Sequence, residues 1–136
     1  MLLSEAILLG SVGSKQGFGI ASGDPASNEK CVIGAALFAV GVKRSSDYFA
    51  ELLKWWPWVN KETTIPSVIR ASHLIARDRT VLNILWKLND TARWSRPQIA
   101  AWVATEEVNL GIVSQEEKTQ PILEVFYEAE RSHLVR

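Results

Sequence analysis

The stretch from Leu88 to Val103, LNDTARWSRPQIAAWV, constrains this chain more than any other, because it encodes a helix end, a corner and a helix start in one run. Ser95 is suited to cap a helix, Pro97 is tolerated in a first turn where no intrahelical donor is needed, and Gln98 follows the serine at the spacing that lets its side chain reach back. This is a capping box. Trp94 and Ile99 stand on either side of it and can close as a hydrophobic staple that fixes the entry angle of the chain. Local structure accounts for these residues, while Asp90, Arg93 and Arg96 are left as functional candidates, Asp90 also having the ordinary role of a side-chain turn at a helix end.

Upstream, Ser4 can cap a short helix through Ala6, Ile7 and Leu9, with Gly10 as its stop; the alternative is a short buried strand from Ala6 to Leu9. From Gly10 to Asn28 glycines alternate with serines and end in Asp24-Pro25, a composition that favours turns, so this segment reads as a mobile loop. Gly10-Ser11-Val12-Gly13-Ser14-Lys15 comes close to a phosphate-binding loop. It fails because too few residues separate the glycines and Ser14 precedes the lysine.

Ser27 or Asn28 can open a second helix whose residues Cys31 to Val40 are apolar almost all round, the pattern of a buried central helix, with Gly41 as its stop. Gly34 inside it implies that another backbone passes close by. Cys31, in the first turn, reads as a buried inert thiol rather than a reactive one, since the flank is apolar and no histidine is near in sequence.

Ser46 begins a third pattern with Tyr48, Phe49, Leu52, Leu53 and Trp56 on one stripe, ended or kinked by Pro57. Trp55-Trp56-Pro57-Trp58 is either the aromatic plug of a core or a stacking platform; the plug is favoured, with Trp55 the most exposed of the three. Pro66 or Ser67 opens a long helical pattern to Leu88, interrupted at Arg77-Asp78-Arg79-Thr80, where Asp78 or Thr80 can cap a fresh helix. His73 has no metal-type partner at helical spacing. Beyond the corner the helix continues through Val103 with Gly111 as its stop, Ser114-Gln115-Glu116-Glu117 is a second capping box, and a last amphipathic helix carries Ile122, Val125, Phe126 and Ala129.

These elements predict an all-α fold: a compact orthogonal bundle of about five to seven helices in a single domain, 1–136, with a glycine-rich loop near the N-terminus. One cysteine cannot form an internal disulfide, no apolar run is long enough to span a bilayer, and Met1-Leu2-Leu3 lacks the basic start of a signal peptide. The expected location is therefore the cytoplasm.

With 15 basic and 15 acidic residues the chain is neutral overall, yet the charges are segregated. Arg70, Arg77, Arg79, Lys87, Arg93 and Arg96 dominate the middle of the chain, and Glu106, Glu107, Glu116, Glu117, Glu124, Glu128 and Glu130 dominate its end. The simplest reading is two solvated faces that attract one another. A functional reading is that they steer a protein partner, or a second copy of the chain, into register. In a DNA-binding alternative the corner at 80–108 is a helix-turn-helix with Arg93, Arg96 and Gln98 touching phosphates and base edges, against which stand its apolar flank and the acidic turn at Glu106.

The residues Leu88-Asn89-Asp90, Trp94-Ser95-Arg96, Ile99-Ala100 and Trp102-Val103 resemble a signature of short bacterial proteins, L-N-D-x-x-x-W-[ST]-R-x-x-I-A-x-W-V. The likeness extends to Leu3–Ile7, Cys31–Ala36 and Trp56–Trp58, and implies no particular activity. Such proteins carry a C-P-x-C pair after the tryptophan-proline segment. This chain has Ile65-Pro66-Ser67-Val68 there, so the resemblance implies that apolar packing replaces a metal site.

No residue set has the spacing of a catalytic, cofactor or metal site. The expected function is a non-enzymatic protein-interaction module that self-associates through Trp55, Trp58, Glu124, Phe126 and Glu128; DNA binding, and small-ligand binding by the glycine loop and tryptophans, are the alternatives.

Overall fold

In a computed structural model, residues 1–71 and 79–114 are described, the side chains of residues 70 and 71 excepted. The chain is mainly helical, with α1 (Leu3–Ser11), α2 (Val32–Ala39), α3 (Tyr48–Trp55), α4 (Ser67–Ala71), α5 (Val81–Asp90) and α6 (Arg96–Asn109), and 3-10 turns at Ile20–Gly23 and Pro57–Asn60. Two short strands, β1 (Lys15–Gln16) and β2 (Glu29–Lys30), pair in parallel, Lys15 opposite Glu29 and Gln16 opposite Lys30. Two residues per strand are too few to betray themselves by alternating polarity, which is why the sequence does not announce them.

The all-apolar α2 is buried through Leu37 and packs most extensively on α1, then on α3 and α5, while α1 also packs on α6. Gly10 does not stop α1. It lies inside the helix, and a Cβ there would stand 1.7 Å from the Ala35 carbonyl oxygen, so α1 and α2 meet backbone to backbone. Gly34 serves the other side of α2, where a Cβ would be 2.4 Å from the Ser22 carbonyl oxygen; the close backbone expected at this glycine is that of the loop.

Several helix starts differ from expectation. Ser4 is not a cap but lies buried in the first turn of α1, its hydroxyl donating to Glu107 Oε1 at 2.5 Å, while the Glu5 carboxylate accepts from the Leu2 amide at 3.2 Å. The second helix starts at Val32 rather than after Ser27 or Asn28, because Glu29 and Lys30 are taken into the strand pair. Asp47, not Ser46, caps α3, its Oδ1 accepting from the Ala50 amide at 3.2 Å. Thr80 has extended backbone and accepts from the Asn83 amide at 3.3 Å, so α5 is a fresh helix, as the interruption in the apolar pattern allows.

Trp56 is buried and its indole N–H donates to the Met1 carbonyl at 3.1 Å, the role of a plug. Ile65 joins the same core, but Val68 stays exposed and Ile69 is buried in its place. Among the described residues no helix is long and apolar enough to cross a membrane. The capping box expected after Ser114, the last helix with Phe126, Glu124 and Glu128, and His73 lie outside the described residues.

Candidate functional site: a loop held against the helical corner

The corner is built as its residues instruct. The Ser95 amide donates to Gln98 Oε1 at 2.9 Å and the Gln98 amide to Ser95 Oγ at 3.2 Å, which closes the capping box of α6. Ile99 is fully buried and Trp94 packs partly buried against the core, placing both staple residues on the apolar side. Arg93 stands between the helices in a left-handed conformation, φ 54°, which lets the Ala92 and Trp94 amides turn back to the Lys87 and Leu88 carbonyls at 3.1 and 3.0 Å.

The corner's polar side chains turn toward the glycine-rich loop. Asn89 is 1% exposed and every hydrogen-bonding position on its amide is used. Its Oδ1 accepts from the Val32 amide at 3.1 Å and from Gln16 Nε2 at 3.0 Å, and its Nδ2 donates to the Gly17 carbonyl at 3.0 Å and to Asp90 Oδ1 at 2.8 Å. Gln16 completes the clasp by donating to the Trp94 carbonyl at 2.8 Å. Asp90 accepts from the Gly19 amide through its other oxygen at 3.1 Å. One side chain from the end of α5 thus ties together the loop and the start of the central helix.

Arg96 supplies a second anchor. Its guanidinium is buried and donates to Ser14 Oγ at 3.0 Å, to the Lys30 carbonyl at 3.2 Å, to the Ser11 carbonyl at 3.3 Å and to the Ser14 carbonyl. These acceptors are the end of α1, the loop and β2. Burial pushes the guanidinium pKa down to about 10, so it stays charged at neutral pH, with neutral oxygens replacing its water. The far end of the loop is fixed by Asp24, whose Oδ1 accepts from the Ala26 amide at 3.0 Å and the Ser45 amide at 3.1 Å.

Held from behind in this way, the loop turns two apolar side chains outward. Phe18 is 40% and Ile20 81% exposed, and the Arg93 guanidinium lies 4.3 Å from the Phe18 ring centroid. Such an arrangement can form apolar and cation–π contacts. Cys31, the N-cap of α2, is buried beneath the loop, and burial pushes its thiol up in pKa more strongly than the nearby Gly34 and Ile33 amides and the Ser22 hydroxyl pull it down. Among the described residues no three His, Cys, Asp or Glu side chains are grouped so as to hold a metal ion.

The candidates named from sequence are scattered. Trp55 is 47% exposed and Trp58 half-buried against the core, and neither has a hydrogen bond or ring contact with the loop among the described residues. Glu124, Phe126 and Glu128 lie outside the described residues. Of the three nucleic-acid candidates, Arg96 points its N–H groups inward, Gln98 is exposed but engaged in the capping box, and Arg93 is exposed on Phe18. The charge segregation is also less superficial than expected, because Arg96, Glu106 and Glu107 are buried, with Thr63 donating to Glu106 Oε2 at 2.8 Å.

Sequence reasoning missed Asn89 and the loop's outward residues. Asn89 had a signal: it stands four residues after Leu85 on the buried stripe of α5, where a polar side chain requires partners. Phe18 and Ile20 had none, since an isolated apolar residue in a loop is ordinary. Comparisons with protein-family models, with curated proteins and with solved structures return no match.

Proposed function

We propose that the chain is a non-enzymatic protein-interaction module, a compact orthogonal bundle that self-associates, and that the loop face formed by Phe18, Ile20 and Arg93 is part of its contact surface. The observation that carries this reading is the exposure of Phe18 and Ile20 on a loop whose backbone is pinned by Asn89, Asp90 and Arg96. A pinned loop loses little conformational freedom on binding, and aromatic and arginine side chains are the residues that most often dominate protein contacts. A second copy is a fitting partner because its C-terminal sequence supplies acidic Glu124 and Glu128, the charge complement of Arg93.

Sedimentation velocity over a wide concentration range tests the reading. The expected result is concentration-dependent self-association that weakens on raising salt and in Glu124→Lys with Glu128→Lys. The pair Phe18→Ser with Ile20→Ser should abolish it while leaving the helical circular dichroism unchanged. A strict monomer at the highest concentration overturns the proposal, and salt-sensitive retention on duplex DNA by that monomer would replace it with the nucleic-acid alternative.

A further inference from the structure

Between α1 and α2 the chain leaves the hydrophobic core. Among the described residues, none from Leu9 to Lys30 belongs to the cluster of buried apolar side chains or to the partly buried ones packed on it. Among the described residues, what holds this segment is mostly polar: the side-chain bonds from Asn89, Asp90 and Arg96, the short β1–β2 pairing, and the Cys31 amide donating to the Ser22 carbonyl at 3.0 Å, with the Tyr48 ring lying against Gly23 as an apolar contact. The segment nevertheless lies directly over the start of the central helix. Ser22 carbonyl fills the space beside Gly34, and the Ser22 hydroxyl neighbours the Cys31 thiol, which is only 6% exposed.

We infer that residues 13–24 form a strap that opens as a local unit, latched at its tip by Asp90, and that its opening uncovers Cys31 and the first turn of α2 while the helices remain packed. Segments that contribute few apolar contacts and are held by a small set of hydrogen bonds occupy the low-stability end of a protein's opening spectrum. The latch bond is the one on the exposed side: Gly19 amide to Asp90 Oδ2, at 3.1 Å, with nothing within 4 Å of a Cβ built on Gly19. Opening also carries Phe18 and Ile20 away from Arg93, so the strap's state decides whether the outward face exists. The inference itself does not depend on self-association.

Thiol labelling of the full chain with a disulfide reagent such as dithionitrobenzoate, at a protein concentration low enough to keep it monomeric, reads the opening directly. In the wild type the labelling rate should depend only weakly on urea below the unfolding transition. Each rate is corrected for the thiolate fraction from its pH profile, because the Asp90 charge also acts on the Cys31 thiol. Asp90→Ala should raise labelling about five- to tenfold through loss of its bonds from the Gly19 amide and Asn89 Nδ2, with a far smaller change in the urea midpoint. Ile99→Val serves as the contrast, since it lowers global stability through the core and should shift the midpoint with little effect on labelling in the absence of urea. The inference is overturned if wild-type labelling follows global unfolding with the full urea dependence, or if Asp90→Ala leaves the rate unchanged. Protection of Cys31 on raising the protein concentration reports self-association separately, so failure of the proposed function and failure of the strap are distinguishable.

Discussion

Arg96 takes a guanidinium into the interior and surrounds it with neutral oxygens from three separate stretches of chain. Removing it takes the donor from the Ser11 and Ser14 carbonyls, while the Lys30 carbonyl keeps the Gly17 amide at 2.9 Å, and hydrogen bonds from a charged group are worth more than neutral ones. Arg96→Ala should therefore lower the unfolding free energy by about 3 kcal/mol in urea denaturation, and Arg96→Lys should recover less than half of that, because an ammonium cannot fork toward acceptors set this far apart. Asp24 gives the residue scale a pH signature. The Ala26 amide, then the Ser45 amide, lower its carboxyl pKa below the ordinary 3.8. A carboxyl whose folded pKa is depressed contributes stability above its unfolded pKa and loses it as pH falls through the folded one. Denaturation midpoints measured from neutral pH downward should fall below about pH 4 more steeply in the wild type than in Asp24→Asn, whose side chain does not titrate. The sequence left Asp90, Arg93 and Arg96 as functional candidates, with an ordinary turn role open to Asp90, and did not display Asp90 and Arg96 as anchors of the loop. It could not supply their partners, because Gly19 and Asp90 meet across 71 positions of chain and Ser14 and Arg96 across 82.

At the scale of elements, the parts legible in sequence are those whose cause is local. The capping box at Ser95 and Gln98 and the burial of α2 each follow from residues within a turn or two, while the start of α5 at Thr80 decides between one helix and two, which the pattern left open. The misplaced starts of α1 and α2 have long-range causes. Ser4, a good cap by type, is drawn to Glu107 on α6, and the serine and asparagine before α2 are pre-empted by a strand pair formed with the far side of the loop. Gly10 shows how one residue type serves two ends: a glycine near the close of a short helix looks like its stop, yet here it is the crossing point of α1 and α2. Gly10→Ala should accordingly be severe, about 3 kcal/mol or outright misfolding by thermal denaturation, because a methyl group 1.7 Å from a carbonyl oxygen requires the two central helices to move apart. At a helix stop the same substitution would cost only its conformational penalty.

For the whole molecule, the described helices supply a core and the corner supplies the grip. The hydrophobic cluster draws on α1 to α6 and, among the described residues, includes none from the segment between the end of α1 and Cys31. Two regions that the sequence presents as unrelated, a glycine-rich loop and a capped helical corner, are thereby one unit. The loop reads as mobile when only its composition is considered, because the side chains that tie it to the helices come from elsewhere in the chain. The most direct test is amide hydrogen exchange on Asn89→Ala beside the wild type. Removing the Asn89 amide should strip protection from residues 13–24 and from the Val32 amide, while α6 beyond its first turn keeps the protection of the wild type. Loop amides that exchange alike in both proteins would contradict the account, for the corner would then be a neighbour of the loop and not what holds it.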